Sequence, residues 1–262
     1  MSWRYAAAAT VGTSHVRDGL PLQDAFACRV AVEPEPTLIA VVSDGAGSAS
    51  EGAAGSAFMC TSLVQDLEAG LRSASPDPVA WLTEGITHVR AALLAEADQR
   101  AIPARQFAAT LLCAVVAPAW SVFAQIGDGA IVTSEPGTGG WSWLFWPQRG
   151  EYANSTSFIT DDRALDGLRV EAVPHGQPEI AMFTDGLQHL LLHYAEQTVH
   201  SPFFEKMMAP IRRSAGSGED AGLSQALASY LRSPTIAERA DDDLTLLMAT
   251  RLKEVPVGTA AP

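Results

Sequence analysis

Leu38-Ile39-Ala40-Val41-Val42-Ser43-Asp44-Gly45 is an apolar run that ends on an acid and a glycine. Two more runs end the same way: Phe123-Ala124-Gln125-Ile126-Gly127-Asp128-Gly129 and Ile180-Ala181-Met182-Phe183-Thr184-Asp185-Gly186. A fourth acidic cluster, Asp241-Asp242-Asp243, stands directly before the apolar run Leu244-Thr245-Leu246-Leu247-Met248. Short apolar runs bounded by turn residues read as buried strands. An Asp where a buried strand surfaces is costly unless it is hydrated, hydrogen-bonded or bound to a cation. Several such residues brought together repel one another, and divalent cations are the usual remedy. The pattern predicts strand ends that meet at one sheet edge and hold hard metal ions there.

Outward from Leu38–Gly45, the preceding segments 3–12 and 24–32 also read as strands. Pro34-Glu35-Pro36 separates the second from the third, which predicts an antiparallel hairpin. After Asp44 a Gly/Ser loop leads into a helix over about 53–71, and a break at 73–78 precedes a second helix over about 79–99. Segments 107–117, 120–128 and 130–135 follow as strands, then Trp141–Pro147, whose aromatics alternate with smaller residues. Residues 151–167 read as a polar excursion with a short strand at Ser157–Thr160. Strands at 169–174 and 179–185 lead to helices at 187–197 and 201–213, a flexible link at 214–220, a helix near 222–231 and a closing strand at 243–251. The order predicts sheets with helices outside them, in one domain. That domain is expected over residues 1–252, with 253–262 a frayed tail.

The chain has 262 residues, enough to bury a sizeable core, and 47% of them are hydrophobic. A net charge of −13 argues against nucleic acid and anionic membranes as partners, since both need clustered Lys and Arg. Cys28, Cys60 and Cys113 form no C-x-x-C pair and read as buried reduced thiols. The N-terminal residues lack an export signal, no run approaches a membrane span, and a cytoplasmic location is expected.

Ser43-Asp44-Gly45-Ala46-Gly47 is the strongest local signal. Its glycines let a backbone carbonyl as well as the Asp44 carboxylate face a cation. A dinucleotide-binding turn is excluded, because Ser50 stands at the third glycine position and Asp44 would repel a pyrophosphate. No G-K-[ST] makes a P-loop. His189 and His193 lack the Glu of a zinc helix and read as a surface pair. Trp141, Trp143 and Trp146 read as packing rather than as a carbohydrate platform. The sequon Asn154-Ser155-Thr156 has no glycosylation role in a cytoplasmic chain.

The order of segments from about Val11 to Arg251 resembles the protein phosphatase 2C family of metal-dependent Ser/Thr phosphatases, in its compact bacterial branch. The motifs are an early Gly before Gln23-Asp24, the D-G-x-G at Asp44, the A-T-L strand at Ala109, the G-D-G at Asp128, the T-D-G-L at Asp185 and the D-D-x-T at Asp242. The resemblance implies an α+β fold, a four-layer α-β-β-α sandwich with two mainly antiparallel sheets, flanking helices and a metal site at one edge. It implies that Asp44 bridges two ions, that Gly45 lends its carbonyl, and that Asp185 and Asp242 complete the carboxylate set, with Asp243 in the place of an Asn. Asp24 resembles the acid that holds metal-bound water, and Asp128 the one that helps bind an additional ion.

Three positions depart from the pattern. Ala46 stands where many relatives carry a His, and His189 where an acidic ligand is common, which leaves a third ion open. His15 stands near the place of the phosphate-binding Arg, with Arg17 close by. His15 reads as a phosphate contact, a proton donor or an ordinary turn histidine. The implied chemistry is hydrolysis of phospho-Ser/Thr by a metal-activated water without a phospho-enzyme. All-oxygen ligands favour two Mn2+ or Mg2+ ions over Zn2+. The implied partners are a phosphoprotein substrate and a cognate Ser/Thr kinase in bacterial signal transduction. Two other readings remain: a catalytically weak signalling or binding module, and a hydrolase of small phosphate esters on the same site. The 151–167 excursion falls where the family has a mobile flap, and reads equally as a solvated loop.

Overall fold

The apolar runs become strands because both of their faces are covered. In the computed structural model, residues 2–73, 77–135, 139–148 and 156–251 are described. In chain order they form β1 (Trp3–Thr10), α1 (Thr13–Asp18), β2 (Asp24–Ala31), β3 (Thr37–Asp44), α2 (Gly52–Gly70), α3 (Pro78–Gln99), β4 (Leu111–Val116), β5 (Ser121–Ile126), β6 (Ala130–Ser134) and β7 (Trp141–Phe145). Then follow β8 (Arg169–Val173), β9 (Glu179–Phe183), α4 (Gln188–Leu191), β10 (Leu192–His193), β11 (Thr198–Val199), α5 (Ser201–Arg213), β12 (Gly218–Glu219), α6 (Ala221–Leu231), α7 (Pro234–Ala237) and β13 (Leu244–Arg251).

One sheet has the order β12-β1-β13-β9-β6-β7 and the other β2-β3-β4-β5-β8. Every pairing is antiparallel except β1 with β12. Side chains alternate across each strand, so β3 sends Leu38, Ala40 and Val42 between the sheets and Ile39 and Val41 under α2 and α3. In β9, Ile180 and Met182 face the other sheet while Ala181 and Phe183 pack beneath α5 and α6. The result is a four-layer α-β-β-α sandwich. Among the described residues, no helix is long and apolar enough to cross a membrane.

The antiparallel register explains why acids separated by up to 219 positions share an edge. Asp24 at the start of β2 pairs directly with Asp44 at the end of β3. In the other sheet, the end of β9 pairs with the starts of β6 and β13: Phe183 opposes Ala130 on one side and Leu246 on the other. The acids thus follow strands that point toward this edge or precede strands that leave it.

Four local expectations give way to the structure. Residues 187–197 do not form one helix: α4 is a single turn and the small hairpin β10–β11 follows, so His189 and His193 lie on different elements. His193 instead faces His200, with Nε2 and Nδ1 3.3 Å apart. Residues 157–160 are a turn clipped by Arg90, whose guanidinium donates to the Ile159 and Asp161 carbonyls at 2.8 Å each. The link at 214–220 contains β12, held parallel to β1. Phe107 closes a tight 3-10 turn rather than beginning β4. All three cysteines are free, with Cys60 and Cys113 buried and Cys28 half-buried. Trp141 is buried and stacks on Phe204, while Trp143 packs edge-on against Trp146. The expected tail at 253–262, the first five residues of the 151–167 excursion, and Asn154 and Ser155 of the sequon lie outside the described residues.

Candidate metal centre

Where β3 surfaces, the Asp44 backbone is clipped by Thr110. The Asp44 N–H donates to Thr110 Oγ1 at 3.0 Å, and the Thr110 N–H donates to the Asp44 carbonyl at 2.8 Å. Gly45 then passes so close to Gly52 at the start of α2 that a Cβ would run into that residue's backbone. This contact requires glycine and brings the Gly45 backbone onto the cleft wall. Asp185 follows β9 in a 3-10 turn, and a Cβ at Gly186 would strike the Asp243 carbonyl. Asp128 follows Gly127, whose φ of +97° is a conformation that favours glycine.

His15, Asp44, Gly45, Asp128, Asp185 and Asp242 line one cleft of about 200 Å3, together with Ala46, Gly47, Ser48, Thr156 and Phe158. Asp24 lies behind this wall, 5% exposed, with Thr184 Oγ1 donating to its Oδ2 at 2.8 Å. Its Oδ1 is buried and accepts no hydrogen bond. The two adjacent acids differ sharply in environment. Asp242 is 51% exposed and faces the cleft, whereas Asp243 is 2% exposed and turned inward. Asp243 accepts from the Gly12 N–H at 2.7 Å and the Gln23 N–H at 2.6 Å, and its Oδ1 lies 3.0 Å from His15 Nδ1. It ties the β1–α1 turn to the start of β2, while the His15 Nδ1 beside it is buried without a hydrogen-bond partner.

The electrostatics are those of an uncompensated acidic site. Burial, then the Asp243 and Asp185 charges, lift Asp24 to about 7 against two threonine hydroxyls that pull the other way. Burial and then Asp128 and Asp242 lift Asp185 to about 7. Asp44 is pushed well above the ordinary carboxylate range by burial and by Asp24, Asp185, Asp242 and Asp128. Burial raises Asp128 despite a 2.6 Å hydrogen bond from Thr156. Among the described residues no Lys or Arg lines the cleft. Clustered carboxylates with no cation, an orphaned buried carboxylate oxygen and an all-oxygen donor set from Asp44, Asp185, Asp242 and Asp128 fit hard divalent cations. His15, Asp242 and Asp243 also present ligand atoms within 4.8 Å of one another.

Several supporting side chains carried no sequence signal. Thr184 holds Asp24 and also accepts from the Thr245 N–H at 3.1 Å, joining the two strand ends. Thr156 belongs to the sequon yet secures Asp128, while Gln188 donates to the Asp128 carbonyl and accepts from the Tyr194 hydroxyl. These residues act across sequence separations that no local motif spans.

Comparison with known proteins bears on the family and the fold. A sequence model of the family described as protein phosphatase 2C matches residues 11–232. Serine/threonine-protein phosphatase 3 of Escherichia coli (strain K12) is 37% identical over 259 residues, covering 95% of this chain and 98% of that protein. The fold is that of solved phosphatases: a bacterial serine phosphatase superposes with a TM-score of 0.66 at 15% identity, covering 96% of this chain and 99% of that one. The Mycobacterium tuberculosis serine/threonine phosphatase PstP/Ppp gives 0.64 at 15% identity, covering 97% and 100%.

Proposed function

This chain belongs to the protein phosphatase 2C family, and from that membership we propose that it hydrolyses phospho-Ser and phospho-Thr in proteins with two Mn2+ or Mg2+ ions. The observation that carries the proposal is the convergence of Asp44, Asp128, Asp185 and Asp242 on one cleft, with Asp24 buried behind it and no Lys or Arg among the described residues that line it. The pKa values of Asp24, Asp44 and Asp185 are pushed up accordingly. Such repulsion is tolerated where a cation is to be bound.

In this reading Asp44, Asp185, Asp242 and the Gly45 carbonyl would hold the ions, with Asp128 able to assist a further one. When bound, divalent ions would acidify water and polarise phosphoryl oxygens, the chemistry of direct hydrolysis without a phospho-enzyme. Asp24 orients water from behind Asp44, held in place by Thr184. His15, with Nδ1 3.0 Å from Asp243, turns Nε2 toward the cleft 3.7 Å from Asp242, where it stands within reach of a phosphoryl group. Ala46 offers only a methyl group at the cleft wall, so any protonation of the leaving group must come from elsewhere. A cytoplasmic setting and an opposing Ser/Thr kinase accompany the proposal, as does a single domain over residues 1–252.

The test is p-nitrophenyl phosphate hydrolysis with Mn2+, Mg2+ or EDTA, for the parent, Asp44→Ala and Asp185→Ala. Metal-dependent activity that disappears in both variants is expected. Faster turnover of phosphopeptides than of small esters then separates a protein phosphatase from an ester hydrolase. A well-folded parent inactive with every metal would leave a phosphoprotein-binding module.

A further inference from the structure

The cleft is not lined by oxygen donors alone. His15 brings an imidazole to its wall, and the ring is 8% exposed. Its Nδ1 is buried without a hydrogen-bond partner, and its Nε2 opens toward the cleft with Asp242 Oδ1 3.7 Å away. Buried polar groups are ordinarily satisfied, and one that is not calls for a reason.

A nitrogen of His15 and one oxygen each of Asp242 and Asp243 lie within 4.8 Å of one another. Two donors that each stand about 2.1 Å from one ion are roughly 3 to 4 Å apart. The 3.7 Å between Nε2 and Asp242 Oδ1 therefore admits a cation between them. On the other side of the ring, Nδ1 lies 3.0 Å from Oδ1 of Asp243, which is 2% exposed. A histidine that holds metal through one nitrogen commonly donates its other N–H to a carboxylate. Here the pair is within hydrogen-bonding distance but not aligned, and an ion on Nε2 gives the ring a reason to align.

Gly47 leaves room beside the ring. A Cβ there would come 3.9 Å from His15 Nε2 and 3.9 Å from Gln23 Oε1. Gln23 is 4% exposed, and this oxygen too is buried without a partner. Two buried side chains with unsatisfied polar atoms thus border one point at the cleft wall, and no Lys or Arg lines the cleft among the described residues.

We infer that His15 and Asp242 form a cation site of mixed donors, with Nε2 as the nitrogen ligand and Asp243 as the acceptor for the other ring N–H. A nitrogen donor changes which ion is preferred. Imidazole suits first-row transition ions, whereas Mg2+ takes oxygen. The site therefore favours Mn2+ over Mg2+, unlike a set of carboxylates alone. Asp242 is shared with the ions of the phosphatase reading, and the inference rests on that reading to this extent.

Mn2+ bound to the parent is the probe, read by pulsed electron paramagnetic resonance with and without 15N-labelled histidine. The spectrum should carry the coupling of an imidazole nitrogen, altered by the label. His15→Gln should lose this coupling and, by calorimetry, bind Mn2+ about tenfold more weakly or worse at one site, with Mg2+ affinity unchanged. His88 beside Asp66 and His193 beside His200 are the rival sources of nitrogen, so His88→Gln and His193→Gln should keep the coupling. Loss in either of these, or persistence in His15→Gln, would overturn the inference. The parent spectrum needs no variant to fold. If the parent binds Mn2+ and hydrolyses p-nitrophenyl phosphate without any nitrogen coupling, this site fails and the phosphatase reading stands. If the parent binds no Mn2+, both fall.

Discussion

Strand β9 has a carboxylate at each end, and the two are treated in opposite ways. Glu179 begins the strand, 7% exposed, and Arg212 meets it with two hydrogen bonds of 2.5 Å. Thr250 donates to the same carboxylate at 3.0 Å, and Arg212 also reaches Glu205 at 2.8 Å. Asp185, just past the other end, meets Asp44, Asp128 and Asp242 instead. At the Glu179 end the acid is closed off by a cation from α5, and the guanidinium's pKa is driven further up by its two partners. At the Asp185 end no such cation lines the cleft among the described residues. A buried acid satisfied inside the protein is structural, while a group of unsatisfied acids stores a binding capacity that a ligand must complete.

The sharpest way to break this contrast is Asp44→Asn. It should lower metal-dependent p-nitrophenyl phosphate hydrolysis by more than about 100-fold, since even the outer partners of metal ligands are worth 10–100-fold. The same variant should melt no lower than the parent in EDTA, because it removes one of several repelling charges. A large drop in metal-free Tm would mean that Asp44 is structural after all.

Metal addition comes next. Mn2+ at about 100 times its Kd should stabilise the parent by about 2.7 kcal/mol in thermal melts, and Asp44→Asn much less. An equal response in both proteins would place the ion elsewhere. At the opposite end, Arg212→Met should cost about 2 kcal/mol, because it strands Glu179. That figure is reduced from the cost of breaking a fully buried pair because the guanidinium side chain is 36% exposed. Its KM for metal should stay that of the parent. A shifted metal requirement in Arg212→Met would show that the two ends of β9 are coupled.

A separate effect is on pH. Asp24 and Asp185 have folded pKa values of about 7, above their ordinary 3.8. An acid raised on folding binds its proton more tightly in the folded state, so its favourable contribution is complete below about pH 4 and is lost as pH rises through about 7. Metal-free protein should therefore melt several degrees lower at pH 8 than at pH 5. With Mn2+ the trend should reverse, since binding requires ionised carboxylates. A rise in metal-free Tm from pH 5 to pH 8 would contradict the uncompensated cluster.

Much of this arrangement is legible in the sequence because it is written locally. A run such as Leu38–Val42 announces a strand covered on both faces, and Asp44-Gly45 announces where it surfaces. The helices α2, α3, α5 and α6 follow from spacing that a single segment carries. Residues 187–197 misled because Leu190, Leu191 and Leu192 suit a helix or a hairpin equally, and the packing of α4 against its neighbours decides. The strand β12 has only two residues, and it exists because β1 has an open edge to pair with.

At the site, the sequence by itself determined which acids stand at strand ends, since that depends on where an apolar run stops. Only the tertiary structure decided that Asp242 faces the cleft while Asp243 is turned inward to pin Gly12 and Gln23. Neighbouring residues on a chain point in different directions, and which direction meets a partner depends on segments more than two hundred residues away. The same holds for α1: its sequence shows a His between a Ser and a Val, but only the fold turns the His inward and leaves the Val in water.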